Sequence, residues 1–201
     1  LDDQIAIPNH TLINQGTFTA KSIESWFKPL AFSTNDNQRV IYEQGGGAAG
    51  FNHYIRRETN DYTFICGAWG NGNKIFSDPI NVSTGEIYHA ISVYDGSNAT
   101  LQLYFNGVCV SKLTKNVVTN IPPHTNPGGI GFKNGATLFN SDFNATNSFA
   151  GVIDEVATYN RVMPYDRIQA HYIAGSGHNM GLRDGVTLGA LLNYDAALEI
   201  N

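Results

Sequence analysis

Apolar and polar residues alternate along most of the chain, and the alternating runs are short. Ser22 to Lys28 ends at Pro29, and Arg39 to Gln44 ends at the glycines 45–47. From Phe51 to Arg57, Phe51, His53 and Ile55 fall on one face while Asn52, Tyr54 and Arg56 fall on the other. Tyr62 to Trp69 follows with the same rhythm. A period of two with Gly, Pro or Asn at the ends predicts β-strands. Strands at 89–94, 101–105 and 108–113 are separated by Asp95-Gly96 and Asn106-Gly107, so they predict a three-strand meander. Asn-Gly suits a type I′ turn, where both central residues need positive φ. A single stretch, Pro164 to Tyr172, reads as helix, with Asp166 in its first turn and Gly175 as the expected stop. One short helix among many strands predicts an all-β sandwich of two antiparallel sheets. The tail 176–201 breaks the strand rhythm and reads as a linker or the opening of a neighbouring module.

Composition changes this picture by exclusion. The 201 residues carry 12 Lys+Arg and 17 Asp+Glu, a net charge of −5. Charged residues are 14%, against roughly 25% in ordinary domains. A nucleic-acid partner would need a basic field, which is missing. No apolar run is long enough to insert in a membrane as a helix. With 11 Phe, 10 Tyr and 2 Trp the chain can fill a core, which excludes disorder. Polarity comes instead from 22 Asn, 15 Thr and 11 Ser, beside 21 Gly.

Cys66 and Cys109 match no metal-binding spacing; they read either as two buried free thiols or as a disulfide between neighbouring strands. The glycines 45–50 lack the Gly-Lys-Ser/Thr ending of a phosphate loop and read as a strand connection. The chain opens at Leu1 without a leader, which reads as a piece excised or processed from a larger protein.

Four stretches carry a family resemblance: Asp2-Asp3-Gln4-Ile5-Ala6-Ile7-Pro8, Phe18 to Pro29, Gly85 through Asn106-Gly107-Val108, and Phe149 to Arg161 with the helix behind it. In order and spacing they resemble the laminin G-like branch of the concanavalin A-like lectin/glucanase superfamily, over roughly residues 2 to 175. Ile87 stands where a Trp is usual, and Met163-Pro164 replaces a Ser-type helix cap. The resemblance implies a jelly-roll domain over 1–175, inside a larger extracellular or cell-surface protein. It also implies one structural Ca²⁺ where the first and last strands meet, with Asp2 or Asp3 and Asp154 as ligands, because Ca²⁺ collects about six to eight oxygens.

Catalytic relatives of this fold place two or three carboxylates on one strand, since glycoside hydrolysis needs an acid and a second carboxylate at fixed separation. No such set occurs here, and adjacent pairs such as Asp154-Glu155 are expected on opposite faces. The chain therefore reads as noncatalytic. Neutral glycans are recognised by rings that stack on sugar faces and by side chains that bond hydroxyls. Tyr42 and Gln44 with Asn52, Tyr54, Arg56 and Trp69 supply that inventory, and they are expected to line one open, concave sheet face. Trp69 is expected to stand exposed among Gly67, Gly70 and Gly72, while Lys133, Asn134 and Asn140 rim the same surface. Trp26 reads as structural. Two readings follow: a lectin-like module for a glycan or cell-surface ligand, or a protein-interaction or spacer domain of a multidomain adhesin.

Overall fold

The structure is a computed structural model and describes residues 4–30, 38–57, 61–114, 118–140 and 147–179. Two compact units emerge, Leu1–Met163 and Pro164–Asn201. In the first, the strands are β1 (Ile5–Ile7), β2 (Ala20–Pro29), β3 (Gln38–Gly45), β4 (Gly50–Arg57), β5 (Tyr62–Gly70), β6 (Asn73–Phe76) and β7 (Ile80–Val82). They continue with β8 (Tyr88–Asp95), β9 (Thr100–Phe105), β10 (Val108–Thr114), β11 (Gly128–Ile130), β12 (Asn147–Ser148) and β13 (Gly151–Tyr159).

These strands make two sheets. The larger runs β1-β11-β3-β4-β5-β6, with β12 added to β3 and β7 to β5. The smaller runs β10-β9-β8-β2-β13. Every pairing is antiparallel except the short β12–β3 contact. The expected meander is β8-β9-β10, and its second turn has φ of 49° at Asn106 and 76° at Gly107. Asn106 also caps the turn, its Oδ1 accepting the His89 N–H at 2.9 Å.

Alternation sends one face of each sheet into a shared core. Ile23 and Phe27 of β2, with Leu101, Leu103 and Phe105 of β9, meet Phe51, Ile55 and Phe64 of the larger sheet. The Phe27 and Phe64 rings stack across the gap at 5.3 Å. One polar chain crosses it too: His53 bonds Ser25 Oγ through Nδ1 at 3.1 Å and Ser92 Oγ through Nε2 at 2.6 Å. Burial holds this imidazole neutral, with a pKa pushed down to about 3.

Two expectations need correction here. β1 and β13 do not meet as strands: β1 pairs with β11 and β13 with β2, in different sheets. A side-chain bond, Gln4 Nε2 to Ser148 Oγ at 2.6 Å, ties the start of β1 to the residues before β13. The adjacent Asp154 and Glu155 are both exposed, because a bulge with φ of 48° at Glu155 interrupts the alternation. Of the two readings of the cysteines, free thiols hold, with Cys66 buried in β5 but Cys109 exposed on β10. Burial pushes the Cys66 thiol up to about 12, which keeps it unreactive.

The second unit contains α1 (Tyr165–Asn179), with Asp166 in its first turn as expected. The helix continues through Gly175 and Gly177. A glycine stops a helix when it takes a left-handed conformation, and neither does. Residues 180–201 of the expected linker lie outside the described residues. No helix among the described residues is long and apolar enough to cross a membrane.

Candidate functional site

The face of the larger sheet turned away from the core carries most of the expected ligand residues. Directly opposed residues of antiparallel strands share a face, so register places them in rows. Glu43 lies opposite Asn52, Asn52 opposite Gly67, and Gly67 opposite Phe76. The next row is Val40, Tyr54 and Ile65, and beyond it Gln38, Arg56 and Thr63. Trp69 stands at the other end, opposite Gly50 and Lys74. Asn52, Tyr54, Arg56 and Trp69 thus share one face.

Tyr42 and Gln44 do not join them. β3 carries a bulge at Ile41, between the Val40–Tyr54 and Tyr42–His53 pairs. One extra residue flips every side chain beyond it. Tyr42 and Gln44 therefore point into the core opposite His53 and Phe51, where the Tyr42 O–H donates to Gln44 Oε1 at 2.8 Å. Burial raises the ionisation of this phenol far above its ordinary range. Glu43 takes the outward place instead.

The shared face is also not open. Residues 132–140 lie over it as a cover. Glu43 Oε1 accepts the Asn134 N–H at 2.8 Å, and Asn134 Nδ2 donates to Gly128 O at 2.9 Å. Asn52 Nδ2 donates to Thr137 Oγ1 at 3.1 Å and to Leu138 O at 2.6 Å. Tyr54 Oη accepts the Asn140 N–H at 2.9 Å. The Phe139 ring meets Tyr54 edge-on at 4.9 Å, in a small apolar cluster with Val40, Ile65 and Phe76. Asn52 and Tyr54 are therefore fully buried, whereas Arg56 and Lys133 are half-buried and Asn140 is exposed.

Trp69 corrects a further expectation. It is buried, and its Nε1–H donates to Gly46 O at 2.7 Å. Its ring lies against Gly50 and Gly45, so the glycines around this indole provide room for it. Gly67 has a similar role, since a Cβ there would strike the Phe76 ring.

Sequence reasoning passed over Glu43, whose carboxyl burial raises to about 7 despite the Asn134 N–H and the Lys133 charge. Glu24 Oε1 bonds His89 Nε2 at 2.8 Å, and Glu24 Oε2 accepts the Tyr159 O–H at 3.0 Å. Trp26 is largely buried and stacks on His89 at 4.4 Å. Glu24 sits on the outward face of the smaller sheet and Glu43 on that of the larger, so the sandwich separates these two carboxyls.

For the expected calcium site, Asp154 is exposed and its Oδ1 accepts the Glu155 N–H at 2.9 Å. Asp2 and Asp3 lie outside the described residues. Among the described residues there is no group of three His, Cys, Asp or Glu side chains that could hold a metal.

The chain is similar to many solved structures, among them these three. One is the native heptameric SAP-like pentraxin of Limulus polyphemus, at 14% identity and TM-score 0.58, covering 85% of this chain and 82% of that one. Another is domain 4 of AbnA, a GH43 extracellular arabinanase of Geobacillus stearothermophilus in complex with arabinotriose, at 16% and 0.53, covering 83% and 70%. The third is the CBM40 of the Ruminococcus gnavus IT-sialidase bound to α2,3-sialyllactose, at 15% and 0.52, covering 77% and 83%. Such identities establish the fold alone. None of the curated proteins compared matches the chain. The Laminin_G_3 family model of the concanavalin A-like lectin/glucanases superfamily matches residues 2–169, and the chain belongs to that family.

Proposed function

We propose that the chain is a noncatalytic glycan-binding module of a secreted or cell-surface protein. The observation that carries this reading is the outward face of the larger sheet, which Asn52, Tyr54, Arg56 and Trp69 share and where residues 132–140 lie over Asn52 and Tyr54. In this reading Asn52, Tyr54 and Trp69 shape the surface from below. Arg56, Lys133 and Asn140 then meet sugar hydroxyls at its rim. The complexes of arabinotriose and sialyllactose with sandwiches of this fold support the ligand class. The placement of Glu24 and Glu43 on opposite outward faces supports a noncatalytic role. A glycan array tests the proposal. We expect a specific signal that weakens at least about tenfold in Arg56→Ala, the loss of one charge-assisted bond. A blank array on folded protein overturns it in favour of a protein-interaction or spacer domain.

The proposal includes a structural Ca²⁺ held by Asp154 with Asp2 or Asp3 at the edge of the sandwich. A ligand that binds the folded state raises its midpoint of thermal unfolding. Millimolar calcium is expected to raise that midpoint over chelator, and Asp154→Asn to remove the difference. Equal midpoints in calcium and chelator overturn the calcium assignment.

A further inference from the structure

The sequence holds three Asn-Gly pairs, at 71–72, 106–107 and 134–135. In such a pair the glycine, lacking a Cβ, leaves its peptide nitrogen unhindered beside the side-chain amide carbon, so the two can join in a ring. The fold treats the three pairs differently. Asn106 is held by β8: its Oδ1 accepts the His89 N–H at 2.9 Å, and its own N–H donates to His89 O at 2.8 Å. Asn134 is held by the larger sheet, with its N–H on Glu43 Oε1 at 2.8 Å and its Nδ2 on Gly128 O at 2.9 Å. Turning either side chain onto the next nitrogen breaks such a bond and strips a partly buried partner. Asn71 and Gly72 form the exposed two-residue turn between β5 and β6, with φ of 54° and 78°. Asn71 Nδ2 reaches an exposed side chain, Asn120 Oδ1, at a long 3.3 Å. Nothing lies within 4 Å of the point where a Cβ on Gly72 would stand.

We infer that Asn71-Gly72 is a site of spontaneous deamidation, where the folded chain converts asparagine to isoaspartate and aspartate while Asn106 and Asn134 resist. The Gly72 nitrogen gives its proton to solvent base and attacks Asn71 Cγ. The Cγ–Nδ2 bond breaks, and Nδ2 takes up a proton and leaves as ammonia. The succinimide so formed adds one water and opens at either carbonyl, to isoaspartate or aspartate. No oxidant or reductant takes part. One contact assists the first step: Asn73 Nδ2 donates to Asn71 O at 3.2 Å. That oxygen carries the charge that develops as the Gly72 N–H is lost, so the bond favours the loss. Ring closure also needs Asn71 to leave its turn conformation. The last ladder pair before the turn is Gly70–Asn73, and the end of a hairpin opens locally without unfolding the strands behind it. Each product adds a negative charge to a chain of net −5. Isoaspartate also lengthens the backbone by one atom, which the two-residue turn cannot absorb. Trp69 and Lys74 form the next ladder pair, so the change falls at the Trp69 end of the outward face.

Trypsin cuts after Arg57, Lys74, Lys112, Lys133 and Arg161, so the three pairs fall in separate peptides, 58–74, 75–112 and 134–161. Folded protein held at mildly alkaline pH is sampled over days, and each peptide is scored by mass spectrometry for a gain of about 1 Da. Electron-transfer fragmentation places the change on one asparagine and separates isoaspartate from aspartate. Conversion at Asn71 is expected to run at least about tenfold faster than at Asn106 or Asn134, the factor one protecting hydrogen bond supplies. In concentrated urea the three pairs are expected to react at similar rates, which isolates the part played by the fold. Asn71→Gly leaves a Gly-Gly pair suited to the same turn. On native isoelectric focusing an acidic band is expected to grow in the wild type and not in Asn71→Gly. Equal rates at the three pairs in folded protein, or a faster change at Asn106 or Asn134, overturn the assignment. So does an Asn71 left intact after the unfolded chain has reacted, or an acidic band that grows equally in Asn71→Gly. None of these readings requires a ligand, so the result stands apart from the glycan array.

Discussion

Gly67 shows how much of the covered face depends on one absent atom. Phe76 lies across it, and the site of a Cβ is 2.9 Å from Asn52 Oδ1. Gly67→Ala must displace either the ring or the amide that holds Leu138. A destabilisation of about 1–3 kcal/mol is expected, the usual range for overpacking, with urea denaturation as the measurement. Such glycines are hard to read from sequence. Beside Trp69 they suggested an exposed ring, yet a glycine that leaves a ring standing free and one that lets it lie flat on the sheet are the same letter. Tyr42, Gln44 and Glu43 went astray for a different reason. Alternation assigns faces correctly until a bulge, and the adjacent pair Ile41-Tyr42 was the one local sign that both residues face inward.

At the scale of elements, the cover is the feature without a sequence signature. Residues 132–140 have neither strand alternation nor a helical period, and they are held by side chains that reach up from β3 and β4. The meander, by contrast, was legible because Asn106-Gly107 demands one backbone geometry and the strands beside it alternate cleanly. The helix was legible at its start, where Pro164 and Asp166 act locally, and misread at its end, because whether Gly175 stops a helix depends on the conformation it adopts. Phe139 is the apolar anchor of the cover. Phe139→Ala is expected to cost about 3 kcal/mol of local stability, the lower end for loss of a buried ring. Because the cover is separate from the core between the sheets, the loss should appear as faster exchange at Asn134 and Asn140. The global urea midpoint should move much less. An equal loss in both would show that the cover unfolds only with the whole sandwich.

At the scale of the molecule, three of the buried titratable groups, His53, Lys21 and Glu43, act on stability in different directions. His53 is depressed from 6.5 to about 3, so its contribution is complete above pH 6.5 and is lost as pH falls toward 3. Lys21, bonded to Ile13 O at 2.7 Å and set over the Phe18 ring, is lowered from 10.5 to about 7 by burial. Its neutral form suits the fold, so this contribution is complete above pH 10.5 and fades as pH falls to 7. Glu43 acts oppositely: its contribution is full below pH 4.5 and is lost as pH rises through 7. Glu43 and His53 therefore oppose one another between about pH 4.5 and pH 6.5, and of the three only Lys21 acts above pH 7, where stability should rise. Between about pH 5 and pH 7 the wild type should lose stability relative to Glu43→Gln, and above pH 7 the two should run parallel, as measured by urea midpoints from about pH 5 to pH 9.5. Profiles that run parallel between pH 5 and pH 7 as well would mean that Glu43 does not titrate in this range.

The pairing of β13 with β2 sets an order of events during synthesis. Ser22 waits for Tyr159, and Pro29 for Gly151, before the smaller sheet gains its edge. Chains grow at roughly 5–20 residues per second, so β2 leaves the ribosome several seconds ahead of its partner. During that interval β8 can cover one side of β2 while the other presents unpaired backbone to neighbouring nascent chains. Closure between residues so distant in sequence is slow. A nascent chain halted before Gly151 would carry an open strand edge, the form most exposed to mispairing.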